Sequence, residues 1–379
     1  MNKVAVDFCP EHFRIARMLK GFSQQELGEK VETSRQFIHQ LESSIREPSE
    51  ELLPSLCEAL GIDKSFLYRS PIRELKSEQC HFRKRRTTTQ AICNQVLAYG
   101  SVFEKFLDIV TEYVEIPSDR NIQQIKNKFE FLEQLTNNDI ERAATEFRVV
   151  NGISENAPIS NITDLIEANG VFITSFSGVS EKIDALSFER KYKVILRNSA
   201  KLSSCRQRFD LAHELGHLIL HEGLETGDVK TESQADLFAS SLLFPSSAFR
   251  REFPYCLDRA GRIDWKALIS LKNRWKVSLK ALIYRAHACG IISAGQYRSA
   301  NIHISKKGWS KREELDDVIP IETPVLLKNC VEVIETSLGV PFSKLAQLLG
   351  YKASSLSELF CLDITEVEEF SNVSLLFRN

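Results

Sequence analysis

The segment Phe209–His221 (FDLAHELGHLILH) constrains this chain more than any other part of it. Its apolar residues recur at helical spacing, and H-E-x-x-H lies among them. Residues four apart on a helix share a face, with Cβ atoms about 6 Å apart. His213 and His217 can therefore hold one ion between them. Glu214, beside them, is placed to take a proton from a water at that ion. The pattern predicts a helix from about Ser204 to His221. A catalytic zinc takes three protein ligands and leaves one position open. A second helix, expected from about Thr231 to Leu243 and stopped by Pro245, offers Glu232 as the third ligand. Asp236, one turn further on, can accept a hydrogen bond from the far nitrogen of a ligand histidine and fix its tautomer. Ala235, Phe238, Ala239 and Leu242 extend that face and predict that the second helix packs on the first. His221, four residues beyond His217, is the alternative third ligand; otherwise it is a helix-end or outer-sphere histidine. Cys205, two turns before His213, reads as a small buried side chain, with redox sensing as the other role open to it.

The remainder of the chain reads as mostly helical. Residues 11–68 form a run of short helices, with apolar spacing through Phe13, Ile15, Ala16 and Leu19, then through Leu27, Val31, Phe37, Ile38 and Leu41. Ser23 with Glu26 makes a capping box, and Thr33-Ser34 opens the next helix. Pro48-Ser49 begins another, through Leu52, Leu53, Leu56 and Leu60, and Gly61 ends it. The basic string Phe82–Arg86, followed by three threonines, marks a boundary and reads as a solvated linker or a phosphate-contacting arm. Residues 91–150 are helical and amphipathic. The β-branched runs Gly170–Thr174 and Lys193–Leu196 are strands. Residues 263–290 and the tail from 322 are helical. Ser343–Phe360 faintly resembles a second helix-turn-helix, but Ser354–Glu358 has no basic residue, so it is expected to be a purely structural pair of helices. The fold class is therefore mainly α with a small β-sheet (α+β). The expected layout is a DNA-binding-type domain over 1–70, a basic linker and helical segment over 71–144, a peptidase-like domain over 145–300 and a C-terminal helical region over 301–379.

Composition narrows the function classes. With 49 Lys plus Arg against 51 Asp plus Glu, the chain is no general polyanion binder, and any nucleic-acid contact must come from a local patch. Nine cysteines stand singly, without a CxxC pair, which argues against a disulfide framework or a cysteine zinc site and for a reducing compartment. There is no apolar run of about 18 residues and no signal-peptide pattern at the N-terminus. A cytoplasmic protein without membrane contact is expected.

Two resemblances follow from these residues. RFDLAHELGHLILH, then ESQADLFASSLLFP, with Ile183–Ser187, Val194-Ile195 and Val277–Ala286 around them, resembles the core of the ImmA/IrrE metallopeptidases over residues 145–300. The resemblance implies a thermolysin-like set: His213, His217 and Glu232 as ligands and Glu214 as base. Zinc is the expected ion; manganese or iron also suits these donors. Many relatives carry Glu where this chain has Gln234. Tyr284 or Arg285 is the expected stabiliser of the oxyanion, and the scissile segment is expected to lie extended along a sheet edge near Ile183–Ser187.

Phe22–Gly28, Thr33–Ile38, Leu41-Glu42 and Arg46–Ser49 resemble the five-helix domain of the XRE (Cro-type) family. That resemblance implies a helix from Thr33 entering the major groove. Ser34, Arg35, Gln36 and His39 would face base edges, while Gln24 and Arg46 would sit near phosphates. Ser43-Ser44 replaces the family's usual glycine after the reading helix, a poorer fit to a left-handed cap. The combined expectation is a DNA-binding regulator with a built-in zinc-type endopeptidase. Its partners would be a double-stranded DNA operator and a repressor-like protein substrate; the oligomeric state stays open, with a homodimer as the assembly that operator binding by such a domain usually implies. The alternatives are an antitoxin or autorepressor that grips a toxin, and a peptidase whose N-terminal domain recruits its substrate.

Overall fold

Four short α-helices and a 3-10 turn open the chain because its apolar residues come in runs too short for anything longer. They are α1 (Pro10–Leu19), α2 (Gln24–Lys30), α3 (Arg35–Glu42), α4 (Leu53–Leu60) and the 3-10 turn Lys64–Tyr68. The computed structural model describes residues 7–69, 71–84, 88–129, 134–176, 183–199, 203–224, 227–310 and 312–362. Ser23 caps α2 in a full capping box, a device worth about 1 kcal/mol. Gly28 is required where α2 turns into α3, since a Cβ there would stand 2.9 Å from the Thr33 carbonyl oxygen. After α3, Ser44 itself takes the left-handed conformation (φ 58°) that glycine would have made easier. The fourth helix begins a few residues later than Pro48-Ser49 suggests.

The sheet comes next: β1 (Cys80–Lys84), then, after α5 (Gln90–Val110), α6 (Arg120–Phe129), α7 (Asn137–Val150) and α8 (Ile162–Glu167), the strands β2 (Val171–Phe176), β3 (Ile183–Glu189) and β4 (Lys193–Asn198). Strand order is β1-β3-β4-β2. β1 and β4 run antiparallel to β3, and β2 runs parallel to β4. Then follow α9 (Ser204–Leu220), α10 (Val229–Leu243), α11 (Ser246–Glu252), α12 (Trp265–Trp275), α13 (Leu279–Ala288), α14 (Ala294–Lys306), α15 (Leu326–Leu338), α16 (Phe342–Leu349) and α17 (Ala353–Phe360). The stretch expected to be helical over 263–290 is two helices, broken at Lys276 in a left-handed turn (φ 53°). Among the described residues no helix is long and apolar enough to cross a membrane.

Residues 80–84 are not a linker. They form an edge strand on β3, because the outer N–H and C=O groups of β3 need partners and this segment supplies them. Arg85, Arg86 and Thr87 lie outside the described residues.

The sheet divides two apolar cores by strand alternation. Phe172, Phe176, Leu186, Phe188, Val194 and Leu196 face one core, shared with α1–α4, α5 and α15–α17. Val171, Ile173 and Ile195 face the other, built from α6–α14. Burial on both faces explains why these strands read as continuous apolar runs. The first core joins the N-terminal helices to the C-terminal ones. Arg69 donates to the carbonyls of Gln347 and Leu348, and Asp63 N–H donates to Gly350. Gly350 (φ 88°) lies so close to Phe66 that a Cβ would meet its backbone at 2.7 Å. α16 and α17 pack into this core, with Phe342 and Phe360 edge-packed on Phe106 and Phe103 of α5.

Candidate metal centre and helix-turn-helix face

α9 lies under β3 and α10 packs along α9, so the two helices bring their polar faces together inside the second core. His213 and Glu214 are fully buried and His217 is 1% exposed. Burial of this kind requires a partner for each polar atom, and the partners define the site. His213 Nδ1 lies 2.8 Å from Asp236 Oδ1. His217 Nδ1 lies 2.9 Å from His221 Nδ1, and His221 Nε2 lies 2.9 Å from Gln234 Oε1. One tautomer set satisfies all three contacts. His213 donates from Nδ1 to Asp236. His221 donates from Nε2 to Gln234 and accepts at Nδ1 from His217. Both α9 histidines then turn Nε2 toward each other and toward Glu232.

Those two Nε2 atoms lie 3.0 Å apart. Glu232 places its carboxylate oxygens 3.4 Å from His213 Nε2 and 3.3 Å from His217 Nε2. The ligand atoms of His213, His217 and Glu232 fall within 4.8 Å of one another. Two lone pairs and a carboxylate converging in a buried space repel each other unless a cation lies between them. The donor set of two imidazoles and one carboxylate is that of a three-ligand divalent site. The residues present therefore fit the ion. Burial by itself would raise the Glu232 carboxyl, but protons on the facing nitrogens of His213 and His217 would outweigh that and hold it well below the ordinary carboxylate range; a cation in their place acts in the same sense. Burial pushes His221 down to about 4, with the neighbouring histidines adding to the effect, so its ring is neutral and able to accept from His217.

The structure places His221 beside His217 and Gln234 rather than among the three converging atoms. Gln234 serves there as the acceptor that orients His221. Two residues at the site were not singled out as site residues from sequence. Ser187 of β3 donates to Glu214 Oε2 at 2.6 Å, deep in the interior. His81 of β1 stacks on His217, with ring centroids 5.0 Å apart and planes 7° apart. Burial and the two neighbouring histidines push its imidazole down to about 3. Neither has a local signature, because both arrive through strand pairing. Tyr284 on α13 is partly exposed, and its phenol is raised first by burial and then by the charge of Asp236. Arg285 does not join the cluster: it is buried, donates to Ser240 and pairs with Glu141, because α13 turns it toward α7 and α10. Cys205 is buried and its thiol is raised to about 12, which leaves it unreactive.

On the N-terminal domain, Ser34 caps α3 by accepting from Phe37 N–H at 3.1 Å. Arg35, Gln36, His39 and Arg46 are exposed and Thr33 is partly so. Gln24 reaches Glu42 at 2.7 Å and His39 at 3.4 Å. Arg17 makes a two-point pair with Glu42, so that this acidic residue of α3 is neutralised inside the domain. Arg46 lies over the Phe37 ring.

Residues 166–287 match the profile of the IrrE N-terminal-like domain, a peptidase family, and residues 13–67 match a helix-turn-helix profile. No curated protein matches the chain. By these matches residues 13–67 are similar to helix-turn-helix domains and residues 166–287 to the IrrE N-terminal-like peptidase domain.

Proposed function

We propose that this protein is a DNA-binding regulator whose second domain cleaves a repressor-like protein at the His213–His217–Glu232 centre. The convergence of those three ligand atoms beside the buried carboxylate of Glu214 is the observation that carries the reading. When bound, a divalent ion, zinc by the donor set, supplies the polarisation of a peptide carbonyl and eases deprotonation of a water. His213, His217 and Glu232 hold that ion. Asp236 and the His221–Gln234 pair fix the two imidazoles in the tautomer that presents Nε2. Ser187 fixes Glu214 through Oε2, so that the carboxylate takes the proton from the attacking water at Oε1 and delivers it to the leaving nitrogen. Tyr284, at the rim near Asp236, is the residue suited to donate a hydrogen bond to the developing oxyanion. Ser34, Arg35, Gln36 and His39 present donors and acceptors for base edges, with Gln24, Thr33 and Arg46 flanking them toward phosphates.

Metal analysis by mass spectrometry tests the centre. One zinc per chain is expected in the wild type and in Glu214→Gln, and none in His217→Ala. Cleavage of an unfolded protein such as casein should follow Glu214. No metal in any of the three under zinc-replete expression would overturn the reading.

A further inference from the structure

We propose that β1 is an inhibitory strand which fills, in cis, the peptide-binding edge of the peptidase site, so that a substrate must displace it before being cut. The inference rests on the peptidase reading above. Ser187 of β3 holds Glu214, which makes the outer edge of β3 the position for an extended chain running past the catalytic carboxylate. That edge is taken. β1 pairs with it antiparallel through Cys80↔Phe188, His81↔Ser187, Phe82↔Leu186, Arg83↔Ala185 and Lys84↔Ile183. Directly opposed residues of an antiparallel pair share a face, so His81 stands on the face from which Ser187 reaches Glu214. Its ring accordingly lies flat against His217 and is 8% exposed. A backbone fills the strand position and an imidazole fills the space over a ligand.

The occupant is short. Five residues on an edge, with a register irregularity at Arg83/Lys84, form a short ladder. The chain just before it is anchored: Arg190, in the β3–β4 turn, donates to the carbonyls of Arg73 and Glu74 and pairs with Glu104 of α5. The competitor that fits is an extended protein segment with unpaired backbone, able to add to β3 as an antiparallel strand.

The test uses the full-length, zinc-loaded chain carrying Glu214→Gln, with a fluorescent synthetic copy of residues 76–90 as the probe. Backbone N–H groups alternate across a strand. One of Phe82→Pro and Arg83→Pro therefore removes a bond to β3, and the other serves as its control. The disruptive variant is expected to speed hydrogen exchange at Leu186–Phe188 and to tighten probe binding by about tenfold or more, since the edge is open in a larger fraction of molecules. His81→Ala, which removes only the ring, is expected to tighten binding less, without faster exchange. With Glu214 restored, the same order should hold for casein cleavage. Faster exchange with unchanged probe binding would overturn the proposal. So would a wild-type chain that cuts itself between Cys80 and Lys84, because β1 would then be a substrate. Tighter probe binding with no casein cleavage by any variant would keep β1 as the occupant of a peptide-binding edge but remove the peptidase reading, and with it the inhibitory role.

Discussion

The metal centre and the face of α3 put polar side chains to opposite use. At the centre, His213, Glu214 and His217 have essentially no solvent contact, and their orientation is set by Asp236, His221, Gln234 and Ser187. On α3, Arg35, Gln36 and His39 stand in water, while Ser34 before it caps the helix. Removing a member of the buried set leaves other buried polar atoms without partners, at roughly 1–3 kcal/mol each. Removing an exposed side chain costs the fold almost nothing. The difference teaches that the candidate metal centre is built as one unit, whereas the exposed side chains of α3 are held far more loosely.

Glu214→Gln should show the largest effect: peptide cleavage falls by about two to four orders of magnitude with zinc content unchanged, read by steady-state kinetics beside metal analysis. Retained cleavage would mean that the buried unit does not include its base. Asp236→Asn comes next. Loss of the carboxylate partner of His213 should weaken zinc by about 10–100-fold, measured by chelator competition, without loss of secondary structure. Arg35→Ala with Gln36→Ala should cost about 1–3 kcal/mol of base discrimination per lost two-point contact, measured by competition between selected and random duplexes. Zinc content should be unchanged and stability should stay within about 0.5 kcal/mol. A large stability loss in that variant would show that the exposed side chains of α3 are not loosely held after all.

The smallest effect concerns Glu167, a buried carboxylate away from both faces. Burial raises it to about 7, against the opposing pull of hydrogen bonds from Val325 and Leu326 N–H. Because its folded value lies above its unfolded one, the stability linked to its proton is fully present below about pH 4.5 and is lost as the pH rises through about 7. Glu167→Gln should therefore flatten the stability profile between pH 5 and 8, by on the order of 1–2 kcal/mol in chemical denaturation. A profile as steep as that of the wild type would assign the slope to another group.

Much of the centre was legible in the amino-acid sequence because its geometry is helical and local. His213, Glu214 and His217 share one helix, and Glu232 and Asp236 share another, so 3.6-residue periodicity was enough to put each set on one face. Capping at Ser23 and Ser34 was legible for the same reason. Arg285 was misplaced because spacing locates a residue on a helix without saying which neighbour that helix turns toward; here it faces Glu141 and Ser240. The strand at residues 80–84 was not foreseen, and Phe82–Arg86 was left open between a linker and a phosphate-contacting arm, because a five-residue edge strand carries little signal of its own. Its conformation follows from the open edge of a strand about a hundred residues away.

The sequence alone determined the two helical motifs and the mixed, mainly helical class, since these depend on residues within a few turns of each other. Tertiary structure decided that one sheet separates two cores, that the N- and C-terminal helices share one of them, and that His81 and Ser187 meet the metal centre. Those outcomes depend on strand pairing between distant segments, where backbone hydrogen bonds carry little record of side-chain identity.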